Sequence, residues 1–486
     1  MAYVIIENFS QGVDLRKSDI TSPPGSLRKL RNAFVNVGGE VEKRKAFTSV
    51  GSLPAGQTKG LAFRNNRLAV FGTLAAGSVG TLAPYTDYYQ LIPSVGGLTI
   101  DRVLDVSPFK GGLYVIARFS DTSVRHFYVN GATANQVTSG SVAGTNARTH
   151  STKQYVVDGR NLRFSAVGDS ADFAGIGSGI IDVSEQDTGS TELVGIEQYY
   201  SYLALFARNA IQLWMMDPDP AKNSLIQTLG NIGLVAANAV AKYGNGDVLF
   251  LSDTGIRSLR ARDSSSAAVL NDIGSPMDPK VAEKRAVLTP TAAEKLTALV
   301  DPLSGHWWLI WGDEVFVLAY YPNSKVTAWS IFEPPISVDY STLANSRLVF
   351  RAGEELFVYG SVPASGSPFD PNVPVGSSAA LYDSAPVELE LPPVDASKPA
   401  TTKLWQALDV ACEGTWAVYI NPNPSQAPNT WTLVSTVAGT TYGLDLLPIG
   451  IRSTHLAVKL VSQTTGVQRV ARVVVHYEDG AKDNKN

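Results

Sequence analysis

Val248-Leu249-Phe250-Leu251 is followed by Ser252-Asp253-Thr254-Gly255 and then by Ile256-Arg257-Ser258-Leu259. An unbroken apolar run, a turn that tolerates positive φ and a second strand-forming run read as a β-hairpin. A strand apolar at every position is buried on both faces, so this hairpin needs a sheet packed on either side of it. The pattern recurs. Leu61-Ala62-Phe63-Arg64 turns at Asn65-Asn66 into Leu68-Ala69-Val70-Phe71, and Tyr155-Val156-Val157 turns at Asp158-Gly159 into Leu162-Arg163-Phe164. Leu203-Ala204-Leu205-Phe206 turns near Arg208-Asn209 into Ile211-Gln212-Leu213-Trp214, and further instances occupy 113–129, 307–318 and 348–359. These seven hairpins have a mean spacing of roughly 48 residues, close to the period of propeller blades. The expected fold is therefore all-β, a β-propeller of about six to eight blades. Stacked β-sandwich domains are the competing reading.

Two regions break the rhythm. Residues 275–296 are rich in Ala, Glu, Lys and Asp, with Pro276, Pro279 and Pro290, and are predicted as two short helices between blades. Residues 361–378 are rich in Pro, Ser and Gly and read as a linker. Beyond it, Val387-Glu388-Leu389-Glu390-Leu391 opens a region of short strands that also takes in 408–411, 416–420, 455–460 and 470–477. That stretch has the size of a β-sandwich-like platform domain. The expected division is an N-terminal segment (1–50) packing on the platform, a propeller (51–361), a linker (362–384) and the C-terminal platform (385–486).

Charged residues make up only 17% of the chain against 44% hydrophobic, which suits a protein that hides surface against neighbours. The net charge of −4 argues against nucleic-acid binding by bulk electrostatics. A single cysteine, Cys412, excludes an intrachain disulfide framework and cysteine-rich zinc sites. The apolar run at residues 2–6 is too short for a secretory signal, and no stretch approaches the ~18–20 apolar residues of a membrane span. The expectation is a soluble, unsecreted protein without membrane insertion.

Residues 1–47 are turn-rich and net basic, with eight Lys or Arg against five acids. They run Phe9-Ser10-Gln11-Gly12-Val13-Asp14, Pro23-Pro24-Gly25-Ser26-Leu27, Leu30-Arg31-Asn32-Ala33 and Gly38-Gly39-Glu40-Val41-Glu42-Lys43-Arg44. This order resembles the opening of the tail nozzle (tail hub) proteins of short-tailed bacteriophages: a polar Gly segment, a Pro-Gly turn, an Asn-centred strand and a Gly turn into a basic residue. Many members continue with Pro-Gly where this chain has Lys45-Ala46. The resemblance extends to Gly195-Ile196 before the 203–214 hairpin, to Gly230-Asn231-Ile232-Gly233-Leu234-Val235, and to His455-Leu456-Ala457-Val458-Lys459-Leu460 with Val473-Val474-Val475-His476-Tyr477.

In that family a propeller and a smaller β platform form a hexameric ring at the tail end, and the genome leaves through its lumen. The resemblance implies a structural virion protein rather than an enzyme, assembled in the host cytoplasm, without cofactor. Its implied partners are further copies of itself, an adaptor or portal-side tail protein, and tail fibre or spike proteins, with DNA only in transit. A tube that passes DNA must not hold it, so the lumen is expected to be acidic or neutral. The basic residues Arg16, Lys17, Arg28, Lys29, Arg31, Lys43, Arg44 and Lys45 are then expected to turn away from it, toward acidic surface on a partner. The loops at 174–187 and 361–378 are candidate gates, because Gly/Ser-rich segments move readily.

Other features have bland readings. Ser252-Asp253-Thr254-Gly255 has the look of a sialidase Asp-box but lacks its following Trp, and reads as a plain turn. Asp217-Pro218-Asp219-Pro220 lacks the further oxygens that calcium wants. Histidines 126, 150, 306, 455 and 476 form no pair at metal-ligand spacing. Gly177-Ser178-Gly179 is a loop, not a nucleophile elbow, and Trp307, Trp308 and Trp311 read as blade core. No catalytic, cofactor or metal residue is assigned. The alternatives are a glycosidase or sialidase-like propeller acting on surface glycans, marked by perturbed acids in a central cleft, and a receptor-binding adhesin, marked by aromatic grooves at a tip.

Overall fold

The structure is a computed structural model that describes the chain except residues 1, 19–20, 24, 187–191, 245, 262–267, 361, 364–366, 371–380, 427–429, 443–445 and 480–486. Each hairpin read from the sequence lies in a different sheet, and among the described residues seven such sheets follow one another along the chain. Six of the hairpins are the two middle strands of a four-stranded blade, as with Asp247–Ser252 and Gly255–Ala261 in blade 5. That position explains their unbroken apolar runs, since a middle strand is covered by a neighbouring blade on each face. Blade 1 differs. Its hairpin, Lys59–Arg64 and Arg67–Gly72, includes the innermost strand, and Thr86–Gln90 then adds parallel to Arg67–Gly72.

Apolar clusters fill every junction. Val115 and Phe127 of blade 2 pack on Phe71 of blade 1, and Tyr114 of blade 2 on Val156 of blade 3. Tyr155 of blade 3 packs with Leu205 of blade 4, and Trp308 of blade 6 with Phe350 of blade 7. Val349 of blade 7 meets Val70 of blade 1, which completes the circle. The circle is also closed by backbone hydrogen bonds between distant parts of the chain. Phe47–Ser52 pairs antiparallel with Glu355–Tyr359 as the outer strand of blade 7. The fold is a seven-bladed β-propeller, with helices Asp278–Ala286 and Pro290–Ala293 inserted between blades 5 and 6.

The platform is woven from both ends of the chain. Its first sheet runs Leu447–Ser453, Lys403–Glu413, Arg469–Asp479, Val41–Lys43 and Ala33–Val35, with Ala2–Glu7 also pairing Arg469–Asp479. Its second sheet grows out of the propeller. The outer strand of blade 6, Val326–Phe332, is joined by Lys29–Arg31 to Glu388–Glu390, Ala457–Ser462, Thr415–Asn421 and Thr432–Ala438. Trp405, Val410 and Val475 of one sheet and Trp416, Val418 and Leu460 of the other belong to a single buried cluster, which continues into Phe250 and Leu309 of the propeller. At Gly12 the N-terminal segment crosses blade 6 so closely that a Cβ would lie 2.5 Å from the Trp329 nitrogen, and its φ of +58 also favours glycine.

Candidate functional site

The first strands of the blades line an axial cavity of about 510 Å³. Arg102 and Asp105 come from Ile100–Phe109, Arg148 from Asn146–His150, and Tyr340 from Tyr340–Ala344, while Glu294 follows the second inserted helix. Every acid there has a basic partner. Arg148 bridges Asp105 at 3.1 Å and Glu197 at 3.3 Å. Arg118 grips both oxygens of Glu294 at 2.6 and 3.0 Å, and Lys295 holds Asp339 at 2.7 Å. Arg102 lies over the Tyr340 ring at 5.6 Å, and the Tyr340 hydroxyl donates to the Val103 carbonyl.

Asp105 is buried, and desolvation raises its pKa against the pull of Arg148. Its oxygens also accept from the Ala147 nitrogen at 2.7 Å, the Asn146 amide at 2.9 Å and the Val106 nitrogen at 2.9 Å. A carboxylate so fully engaged ties the first strands of blades 2 and 3 together and has no lone pair directed at a substrate. Asp339 moves the other way. Burial opposes ionisation there, but the Lys295 and Gly353 hydrogen bonds outweigh it and hold the pKa low. Hairpin spacing alone did not single these residues out, because it does not say which strand of a blade is innermost.

The eight basic residues of the N-terminal segment are spent largely within the chain. Lys43 and Arg44 are buried in the fold, so the expectation that they face a partner is corrected. Arg44 donates to Asp383 at 2.6 Å, Asn32 at 2.9 Å, and the carbonyls of Lys45 and Glu333 at 2.8 and 3.1 Å, and lies over Phe47. Lys43 donates to the Asp383 carbonyl at 2.9 Å, and desolvation lowers its pKa. Lys29 pairs with Glu388, Arg31 with Glu333 at 2.6 Å, and Arg16 with Asp14 at 2.8 Å. Arg28 donates to the carbonyls of Asp14 and Lys17. Among the described residues, Lys17 and Lys45 take part in no ion pair.

The remaining motifs are structural in their surroundings. Asp253 is clasped by Arg208 at 2.7 and 3.0 Å and by Arg285 at 3.1 Å, while Ser252 Oγ donates to the Gly255 carbonyl across the turn. Asp217 and Asp219 accept backbone hydrogen bonds from their own turn. Trp307 and Trp308 are fully buried, with Trp308 edge-on to Tyr359 and Phe332. The loop at 174–187 is described up to residue 186. Asp172 caps the nitrogens of Ala174 and Gly175, Lys153 donates to the Gly177 carbonyl at 2.6 Å, and Ile176 at the tip is fully exposed. Most of 361–378 lies outside the described residues. Phe369 within it is buried beside blades 7 and 1.

No family model matches the chain, and neither does any curated protein. Solved structures that the chain is similar to include the Neurospora crassa Pan2 WD40 domain, 11% identical over 67% of this chain and 98% of that one, with a TM-score of 0.41. BamB from Moraxella catarrhalis is 10% identical over 67% and 99%, with a TM-score of 0.34. A chain of the mitotic checkpoint complex is 14% identical over 73% and 93%, with a TM-score of 0.38.

Proposed function

We propose that this chain is a structural subunit of a virus tail, a nozzle protein whose copies form a hexameric ring that conducts and gates DNA during ejection. The observation that carries this reading is where the nozzle-like stretches meet. Segments 9–14, 25–33 and 38–44 and the runs 455–460 and 473–477 converge on one unit, the platform and its seam with blade 6. A propeller alone does not ask for that unit. The axial cavity is of small-molecule size and crossed by ion pairs, so a route for duplex DNA has to lie between copies. Adaptor, fibre and spike proteins are the neighbours this role requires.

The test is the mass of the purified protein by light scattering together with negative-stain images. Rings of six, with weak duplex binding at physiological salt, are expected. A monomer at every concentration would refute the reading. A hydrolase acting on surface glycans is the second reading, and the raised pKa of buried Asp105 in a central cleft favours it. Against it stands the full set of partners on that carboxylate. Turnover of glycans that is lost in Asp105→Asn would promote it.

A further inference from the structure

Among the described residues, the platform's first sheet has two unpaired edges of different character. Across it run Leu447–Ser453, Lys403–Glu413, Arg469–Asp479 and Ala2–Glu7, with every neighbouring pair antiparallel. The edge strand Ala2–Glu7 pairs with 472–477 over six consecutive residues without a bulge, and it has no Pro, Gly or Lys. Apart from Glu7 at its end, it lacks the prolines, lysines and bulges that protect exposed strand edges from pairing. Tyr3 and Ile5 on it are 60% and 41% exposed. A cleft of about 410 Å³, walled by Val4, Ile6, Pro392, Pro393 and Val394, opens beside it.

The opposite edge is built differently. Leu447–Ser453 contains Pro448, which has no N–H to offer, and Gly450 at φ +67. These features hinder that strand from pairing with its own twin. Leu446 just before it is 36% exposed, and Arg452 is exposed with no ion pair among the described residues. Glu478, next to the other edge, is likewise exposed and without an ion pair.

We infer that a second copy of this chain docks head to tail at this sheet, its strand Leu447–Ser453 adding to Ala2–Glu7. Strand direction supports the match. With four alternating strands, a copy in the same orientation brings Leu447–Ser453 antiparallel to Ala2–Glu7. The register supports it too. Tyr3, His476, Ala407 and Pro448 share one level of the sheet, so an unslipped neighbour sets its Pro448 beside Tyr3 and its Leu446 near Ile5. Arg452 on one edge and Glu478 by the other supply opposite charges. Because the two surfaces differ, the contact is heterologous and propagates to a ring or a filament. The inference rests on the ring reading and names the surface that would build it.

The experiment uses full-length Ile5→Lys and Leu446→Lys proteins, sized by light scattering alone and as an equimolar mixture. Both positions face solvent, and unchanged melting midpoints verify the fold. If Ile5→Lys misfolds, Tyr3→Glu at the more exposed position replaces it. Each variant alone is expected to be monomeric where the wild type assembles. The mixture keeps one intact junction per pair and is expected to stop at dimers. Loss of assembly in Ile5→Lys but not Leu446→Lys would mean that Ala2–Glu7 pairs with its own twin, and would overturn the head-to-tail contact. Assembly surviving both substitutions would overturn the interface and leave the ring reading standing. The expected pattern with open filaments in place of rings would do the reverse. A monomeric wild type would overturn both.

Discussion

The propeller and the platform are both built mainly of antiparallel strands, but they are assembled in opposite ways. Each blade from 2 to 6 is a run of four strands consecutive in the chain. The platform pairs residues from opposite ends of the chain, with Ala2 opposite Tyr477 and Arg469 opposite Glu42. Yet the two are not separate bodies, because one buried cluster holds Trp405 and Trp416 of the platform together with Phe250 and Leu309 of blades 5 and 6. Local hairpins supply the ring of blades. The distant chain ends then bind that ring into a single unit.

The largest expected effect tests that unity. Trp405 is fully buried, and Trp405→Ala removes a large side chain from the shared cluster, at a cost of about 3–5 kcal/mol. If the cluster couples the two parts, calorimetry will show the whole unfolding transition moving to lower temperature. A split endotherm in which only one component moves would mean that the propeller stands without the platform.

Arg44 tests the same coupling through charge. It lies where the N-terminal segment, the 333 region of blade 6 and Asp383 before the platform converge. Arg44→Ala strands the Asp383 carboxylate and two backbone carbonyls, and a broken buried pair costs about 3–5 kcal/mol. Arg44→Lys keeps the charge but loses the fork that serves four acceptors, so it is expected to fall between alanine and wild type. Urea midpoints for the three proteins check this order. Equal midpoints for alanine and wild type would show that the junction is not structural.

How much of this was legible follows from the same contrast. The hairpins of blades 2 to 6 could be read because turn and strands sit within about a dozen residues of one another. Trp307, Trp308 and Trp311 could be read as blade core for the same reason. The three-residue strand Lys29–Arg31 could not, since its partners are Glu388–Glu390 and Ile331, and three residues carry no periodicity. The closing strand Phe47–Ser52 was hidden because its partner lies some three hundred residues away. The axial residues Arg102, Asp105 and Arg148 precede the apolar hairpins of blades 2 and 3. Charges inside strand-like stretches just upstream of each hairpin were the signal that could have found them.

Acid should act on the propeller first. Burial pushes the pKa of His126 in blade 2 and His306 at the edge of blade 6 down to about 4. The unfolded chain takes up these protons near pH 6.5, so the folded state, which refuses them, loses stability as pH falls from 6.5 toward 4. By pH 5 the loss is on the order of 2 kcal/mol per histidine, and above pH 6.5 it vanishes. Melting temperatures across pH 7.5 to 5 are expected to fall in the wild type, and to fall less in His126→Gln/His306→Gln. A flat wild-type profile would contradict the buried, neutral state of both rings.

The smallest effect is expected at the exposed pairs that flank Arg44. Lys29 reaches Glu388 and Arg31 reaches Glu333, and each of these side chains keeps about a third of its surface in water. Water and salt screen such charges, and holding two long side chains in one geometry costs entropy, so Lys29→Ala is expected to lose about 0–1 kcal/mol. The strand they sit on is held instead by its backbone ladder and by Leu30, which is buried in the apolar cluster shared by propeller and platform. Leu30→Ala should therefore cost several times more than Lys29→Ala, about 2–5 kcal/mol. A double comparison by urea unfolding decides it. If Lys29→Ala proved as damaging as Leu30→Ala, the seam between propeller and platform would be electrostatic, and it should then weaken steeply with added salt.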